Sequence, residues 1–160
     1  ISPNNKIPAI VDQNGPQGEP ISVFESGAIL QYLGRKTGLF YPSDEQQRVE
    51  VEQWLMWQMG GLGPMLGQNH HFNRFAKEKI PYAIDRYVNE SKRLYGVLEK
   101  QLIGQDYVAG EYSIADMAIF PWLRRYEWQD IALDDFPNVQ AYMQRMNDRP
   151  AVQRALAITL

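Results

Sequence analysis

The sequence predicts an α+β protein, with a short β-β-α piece first and a run of helices behind it. Three observations carry this. The stretch Ile21 to Leu33 changes period in its middle. Ile21, Val23 and Phe24 are apolar and β-leaning, whereas Ala28, Ile29, Tyr32 and Leu33 recur at helical spacing. From Ser43 onward no strand pattern remains. Apolar residues then recur at helical spacing, through Ile84, Tyr87, Leu94, Tyr95, Leu98 and Leu102 among others.

In order along the chain, Ile1–Lys6 is polar and turn-prone. Ile7-Pro8-Ala9-Ile10-Val11-Asp12 reads as a short strand, with proline at an edge or entry position because it cannot donate a ladder hydrogen bond. Gln13–Pro20 is a hairpin loop, and Ile21–Phe24 is the partner strand. The helix from Ser26 should end near Gly34 or Gly38, with Arg35 and Lys36 in its last turn. Leu39–Ser43 is an aromatic linker, expected to pack down. Ser43 and Asp44 precede a long helix through Val49, Trp54, Leu55 and Gln58, which Gly60-Gly61-Leu62-Gly63-Pro64 should bend or break. A second long helix starts at Ile80-Pro81. Ser113-Ile-Ala-Asp116 is a capping box at the head of a very apolar, buried helix that Pro121 should kink. Phe136-Pro137 and Pro150 begin the last two helices. The organisation read from this is residues 1–38 as one piece and 43–160 as an all-helical one. A lone hairpin with one helix is not stable by itself and needs cover.

Composition narrows the function. A net charge of −3 with no run of one sign argues against nucleic-acid binding. No apolar run reaches bilayer length, and no signal segment opens the chain, so a cytoplasmic protein without a membrane span is expected. The sequence contains no cysteine, so thiol chemistry here requires the thiol of a bound small molecule.

Glu25-Ser26-Gly27, at the junction of strand and helix, is the most informative site candidate. Free N–H groups of a new helix attract an anion, and the neighbouring carboxylate attracts a cation. An α-amino-acid head carries both. On this stretch alone, capping by Ser26 or Glu25 is the plainer reading. Gln68, Asn69, His70 and His71 invite a metal reading. It is set aside because neighbouring side chains point apart and nothing completes the ligand set. Met59, Leu62, Met65, Leu66, Phe72 and Phe75 are candidates for an adaptable apolar wall, and core packing is an equal alternative for each.

Asn5-Lys-Ile-Pro-Ala-Ile-Val, Phe24-Glu-Ser-Gly-Ala-Ile-Leu-Gln-Tyr-Leu and Tyr112-Ser-Ile-Ala-Asp-Met-Ala resemble the glutathione transferase family in order and spacing. Gly60-Gly-Leu-Gly-Pro-Met-Leu-Gly-Gln-Asn-His-His-Phe with Ala83-Ile-Asp-Arg-Tyr87 is similar to the bacterial Nu class, known as glutathione-dependent disulfide-bond reductases. The resemblance implies the C-terminal half of a thioredoxin-like domain followed by the family's all-α domain. It also implies that the family's first strand, first helix and second strand precede Ile1. The residue that contacts the glutathione sulfur would lie there, so this chain is expected to be part of a longer polypeptide.

The resemblance further implies glutathione as cosubstrate and no metal. Glu25 would hold the γ-glutamyl ammonium and Ser26 its carboxylate. Ile7 would pair through its main chain beside a cis Pro8, and Arg86 would meet a glutathione carboxylate. Met65, Gln68, Asn69, His70 and Phe72 would line the pocket beside the sulfur. The implied activity is disulfide exchange between glutathione, or glutathione disulfide, and a small disulfide or electrophilic substrate, by a homodimer. The alternative is a non-catalytic glutathione-binding or regulatory protein of the same fold.

Overall fold

The computed structural model describes residues 1–158. β1 (Ala9–Asp12) and β2 (Ile21–Phe24) form an antiparallel pair, with Ala9 opposite Phe24 and Asp12 opposite Ile21. α1 (Ser26–Thr37) packs across both strands. It stops where Gly38 turns left-handed at φ 69° and donates its N–H to Gly34 O. Asp12 ties the pair to α1. Its carboxylate accepts from Tyr32 Oη at 2.7 Å and from Lys36 Nζ, and Lys36 also donates to Asn14 O at 2.6 Å.

The linker splits in its behaviour. Tyr41 is buried against Gly34, whereas Leu39 and Phe40 stay 56% and 45% exposed, so only part of the expected packing occurs. Phe40 sits at φ 60° and its carbonyl accepts the N–H of Ile114, which joins the linker to the head of the apolar helix.

α2 (Glu45–Trp57) opens on Asp44, whose side chain accepts Gln47 N–H at 3.0 Å. The expected break at Gly60–Pro64 does not occur. The chain stays right-handed helical through a π-type turn at Gln58–Leu62 and runs directly into α3 (Gly63–His70). Proline has no N–H and its ring crowds the carbonyl four residues back. Widening the turn, with Gly63 N–H reaching Gln58 O, accommodates both features without ending the helix. A second π-type turn, His71–Phe75, closes this arm.

α4 (Pro81–Gln101) crosses α3, α5 (Ile114–Leu123) lies in the centre, and α6 (Pro137–Asn147) and α7 (Pro150–Leu156) finish the fold. Leu55, Leu62, Leu66, Leu98, Ile119, Leu123 and Tyr142 form a fully enclosed core around α5. Pro121 faces outward and α5 ends two residues beyond it. The capping box is complete. Asp116 accepts from Ser113 N at 2.9 Å, from Val108 N at 3.0 Å and from Tyr142 Oη at 3.1 Å.

Candidate functional site

The register of the hairpin brings the first candidates together. Because Ala9 faces Phe24, Ile7-Pro8 and Glu25-Ser26 leave the same end of the strand pair. The Ile7–Pro8 peptide bond is cis, and Ile7 is 91% exposed. Nothing among the described residues pairs with the main chain of Ile7. Here the protein leaves one donor and one acceptor open to a partner.

Across from it, Glu25 occupies the N-cap position of α1 at φ 69°, ψ 119°. A bulky residue at positive φ is strained, and such strain collects at functional positions. Its carbonyl still starts the helix by accepting Ile29 N–H at 2.9 Å, but its side chain caps nothing and stands in solvent. A plain capping role for Glu25 is thereby removed. The first N–H groups of α1 are left for an incoming anion.

Ser26 is half-buried, with Oγ 3.7 Å from Met59 Sδ. Met59 lies in the π-type turn of the helical part and covers the start of α1. A Cβ on Gly27 would fall 3.2 Å from both Met59 Cγ and Cε, so glycine permits this close approach.

Arg86 lies elsewhere, in a cleft of about 630 Å³ along α4, with Met65 of α3 on its wall. Tyr82, Asn89, Glu90 and Arg93 share that face. Glu90 and Arg93 form a two-point pair at 2.8 and 2.7 Å, which holds the Glu90 carboxyl below its ordinary value. Arg86 itself joins no ion pair among the described residues. Asn89, Glu90 and Arg93 were not singled out from the sequence. Their spacing of three, four and seven residues from Arg86 is the signal that finds them.

The expected pocket wall divides. Met65 lines the cleft, Gln68 is exposed, and Phe72 is half-buried and stacks on Tyr87 with ring centroids 5.4 Å apart. Asn69 is a correction. It is completely buried and donates to Ser91 Oγ at 2.7 Å and Gln129 O at 3.0 Å, so it bonds the core and meets no solvent-filled pocket. Leu62 and Leu66 are likewise core.

His70 turns inward, between Trp122 and Trp128, to Gln129 Nε2 at 3.0 Å. Gln129 Oε1 accepts from Tyr95 Oη and its Nε2 donates to Trp122 O, so its remaining proton points at His70 Nε2. His70 is therefore the neutral acceptor there. Burial, reinforced by the Arg125 charge, holds its pKa below the ordinary value of 6.5.

The small antiparallel pair backed by α1, followed by an all-helical part, matches the fold of glutathione transferases. Residues 68–150 match the family "Glutathione S-transferase, C-terminal domain", and the chain belongs to the glutathione S-transferase family. Disulfide-bond oxidoreductase YfcG of Escherichia coli is 55% identical over 158 residues, covering 98% of this chain and 74% of YfcG. A glutathione transferase from Pseudomonas putida, solved with one glutathione disulfide per subunit, superposes with TM-score 0.93 at 52% identity, over 98% of this chain and 71% of that one. A Burkholderia graminis glutathione transferase, solved with two glutathione molecules per subunit, gives TM-score 0.91 at 51% identity, over 96% and 68%.

Proposed function

We propose that this protein is a glutathione-dependent disulfide-bond oxidoreductase. The observation that carries the reading is the uncommitted Glu25, held at positive φ beside the open start of α1 and at the same end of the hairpin as cis Ile7–Pro8. Glu25 takes the ammonium of the γ-glutamyl head. Ser26 and the first N–H groups of α1 take its carboxylate. Ile7 pairs with the cysteinyl main chain as an added strand would. Arg86, free of ion pairs in its cleft, takes a carboxylate of a second glutathionyl group. The P. putida and B. graminis relatives, solved with glutathione disulfide or two glutathiones, support two such places.

The chemistry is thiol–disulfide exchange. The glutathione thiolate attacks one sulfur of the substrate disulfide, a mixed disulfide forms, and the other sulfur leaves as a thiol. A second glutathione thiolate then attacks the mixed disulfide, releasing glutathione disulfide and the second thiol. Both electrons come from the two glutathione thiolates. A cosubstrate that must stay reduced fits the cytoplasm. A homodimer fits α2, where Val49 and Met56 are 42% and 49% exposed and Trp54 and Trp57 are half-buried. Reduction of 2-hydroxyethyl disulfide by glutathione, assayed with the full-length polypeptide, tests the activity. Turnover that saturates in both substrates is the expected result, and glutathione binding without turnover overturns it in favour of a binding role.

A further inference from the structure

Met59 belongs to the helical part, yet its side chain reaches the start of α1. Its thioether is the acceptor nearest the Ser26 hydroxyl, at 3.7 Å, and its side chain rests against the bare Cα of Gly27. It is carried there by the π-type turn Gln58–Leu62, a widened turn of the kind found at functional sites. Two consequences follow. Without a ligand the Ser26 proton is held by a weak acceptor, which releases it cheaply when a carboxylate arrives. The position of the α1 start, and so of Glu25 and the open N–H groups, depends on this packing.

We infer that Met59 is a positioning residue for the head-group site, and that oxidation of its sulfur closes that site. This deepens the reading above and rests on it. Met59 is half-buried, not enclosed, so a peroxide can reach it. In the step, the sulfur attacks one peroxide oxygen and the O–O bond breaks. An S–O bond forms with loss of two electrons from sulfur, and the other oxygen leaves as water or an alcohol. The sulfoxide oxygen is a strong acceptor. It keeps the Ser26 proton and lies against the N–H groups that would otherwise receive the ligand carboxylate. The enlarged polar group also no longer fits the contact with Gly27.

The test uses purified full-length protein treated with hydrogen peroxide, desalted, and titrated with glutathione by calorimetry, with peptide mass spectrometry reporting Met59. Oxidation should raise the glutathione Kd by about tenfold or more, the effect of losing one charge-assisted hydrogen bond. Met56, 49% exposed, is oxidised as well. A Met59→Leu variant keeps Met56, and its Kd should be the same before and after peroxide. Met59→Gln, which places a permanent polar acceptor there, should bind as weakly as the oxidised protein. A wild-type Kd that survives oxidation of Met59, or equal peroxide sensitivity in Met59→Leu, overturns this inference alone. Absence of binding by the reduced wild-type protein overturns the head-group reading and this inference together.

Discussion

Glu25 stands in solvent at the start of α1, and Asn69 is enclosed in the helical core. Glu25 has no internal partner, so replacing it should leave the fold intact and damage only recognition. Glu25→Ala is expected to raise the glutathione Kd by roughly tenfold or more, as loss of an ionic hydrogen bond does, with an unchanged Tm. Calorimetry and a thermal melt check both halves. Asn69 is the reverse. Removing it strands Gln129 O inside the core, a loss of about 1–3 kcal/mol in stability, while glutathione affinity stays as it was. Urea unfolding beside a binding titration separates these outcomes. His70 adds a pH dependence. Its folded pKa lies below 6.5, so the folded state binds fewer protons than the unfolded chain around that pH. Its contribution to stability is complete above about pH 6.5 and is lost as the pH falls through the folded value. The Tm should decline between pH 7 and 5 more steeply in the wild type than in His70→Gln, which retains an acceptor without titrating.

At the scale of elements, the hairpin depends on its clamp to α1. The hydrogen bond from Lys36, and after it the one from Tyr32, hold the Asp12 pKa at about 2, down from 3.8. A lowered carboxylate stabilises at pH values above its unfolded pKa and stops doing so as pH falls through the folded one. The clamp is therefore complete above about pH 4 and fails towards pH 2. Protection of the β1 and β2 amides against hydrogen exchange, relative to their intrinsic rates, should fall over that window, and Asp12→Asn should show the lower protection already at pH 7. The joint between α1 and the linker is tighter still. A Cβ on Gly34 would lie 2.6 Å from Tyr41 Cβ. Gly34→Ala should therefore cost about 1–3 kcal/mol by overpacking, seen as a lower midpoint in denaturant. If its midpoint matches the wild type, the contact between α1 and Tyr41 is looser than described.

For the whole molecule, the helical part supplies the enclosed core, and residues 1–38 carry the exposed, internally unpaired groups at Ile7 and Glu25. Met59 joins the two by packing against Ser26 and Gly27, the contact through which the proposed head-group site would respond to chemistry in a helical arm. A homodimer predicts twice the mass of the single polypeptide in light scattering at micromolar concentration. A monomer under those conditions would remove the dimer from the proposal.

Local chemistry was enough to read most of the elements. The change of period at Glu25, the capping box at Ser113 and the prolines at 81, 137 and 150 each act over a few residues, so their meaning survives without the fold. The cis bond before Pro8 was legible only through the family resemblance, and that resemblance is what favours a ligand site over a cap at Glu25 and Ser26, since neither periodicity nor spacing distinguishes the two. Tertiary structure decided the rest. Gly60–Pro64 looked like a helix break because proline and glycine weaken a helix locally. Packing of Leu62 and Leu66 into the core, together with one widened turn, outweighed that preference. Gln68, Asn69 and His70 looked alike as a polar run. Successive helix positions point about 100° apart, so one faces solvent, one the core and one a tryptophan pair. Met59 was one of several apolar residues with no assigned partner. Its place against Ser26 and Gly27, 33 and 32 residues earlier in the chain, exists only once the helical part folds over the start of α1.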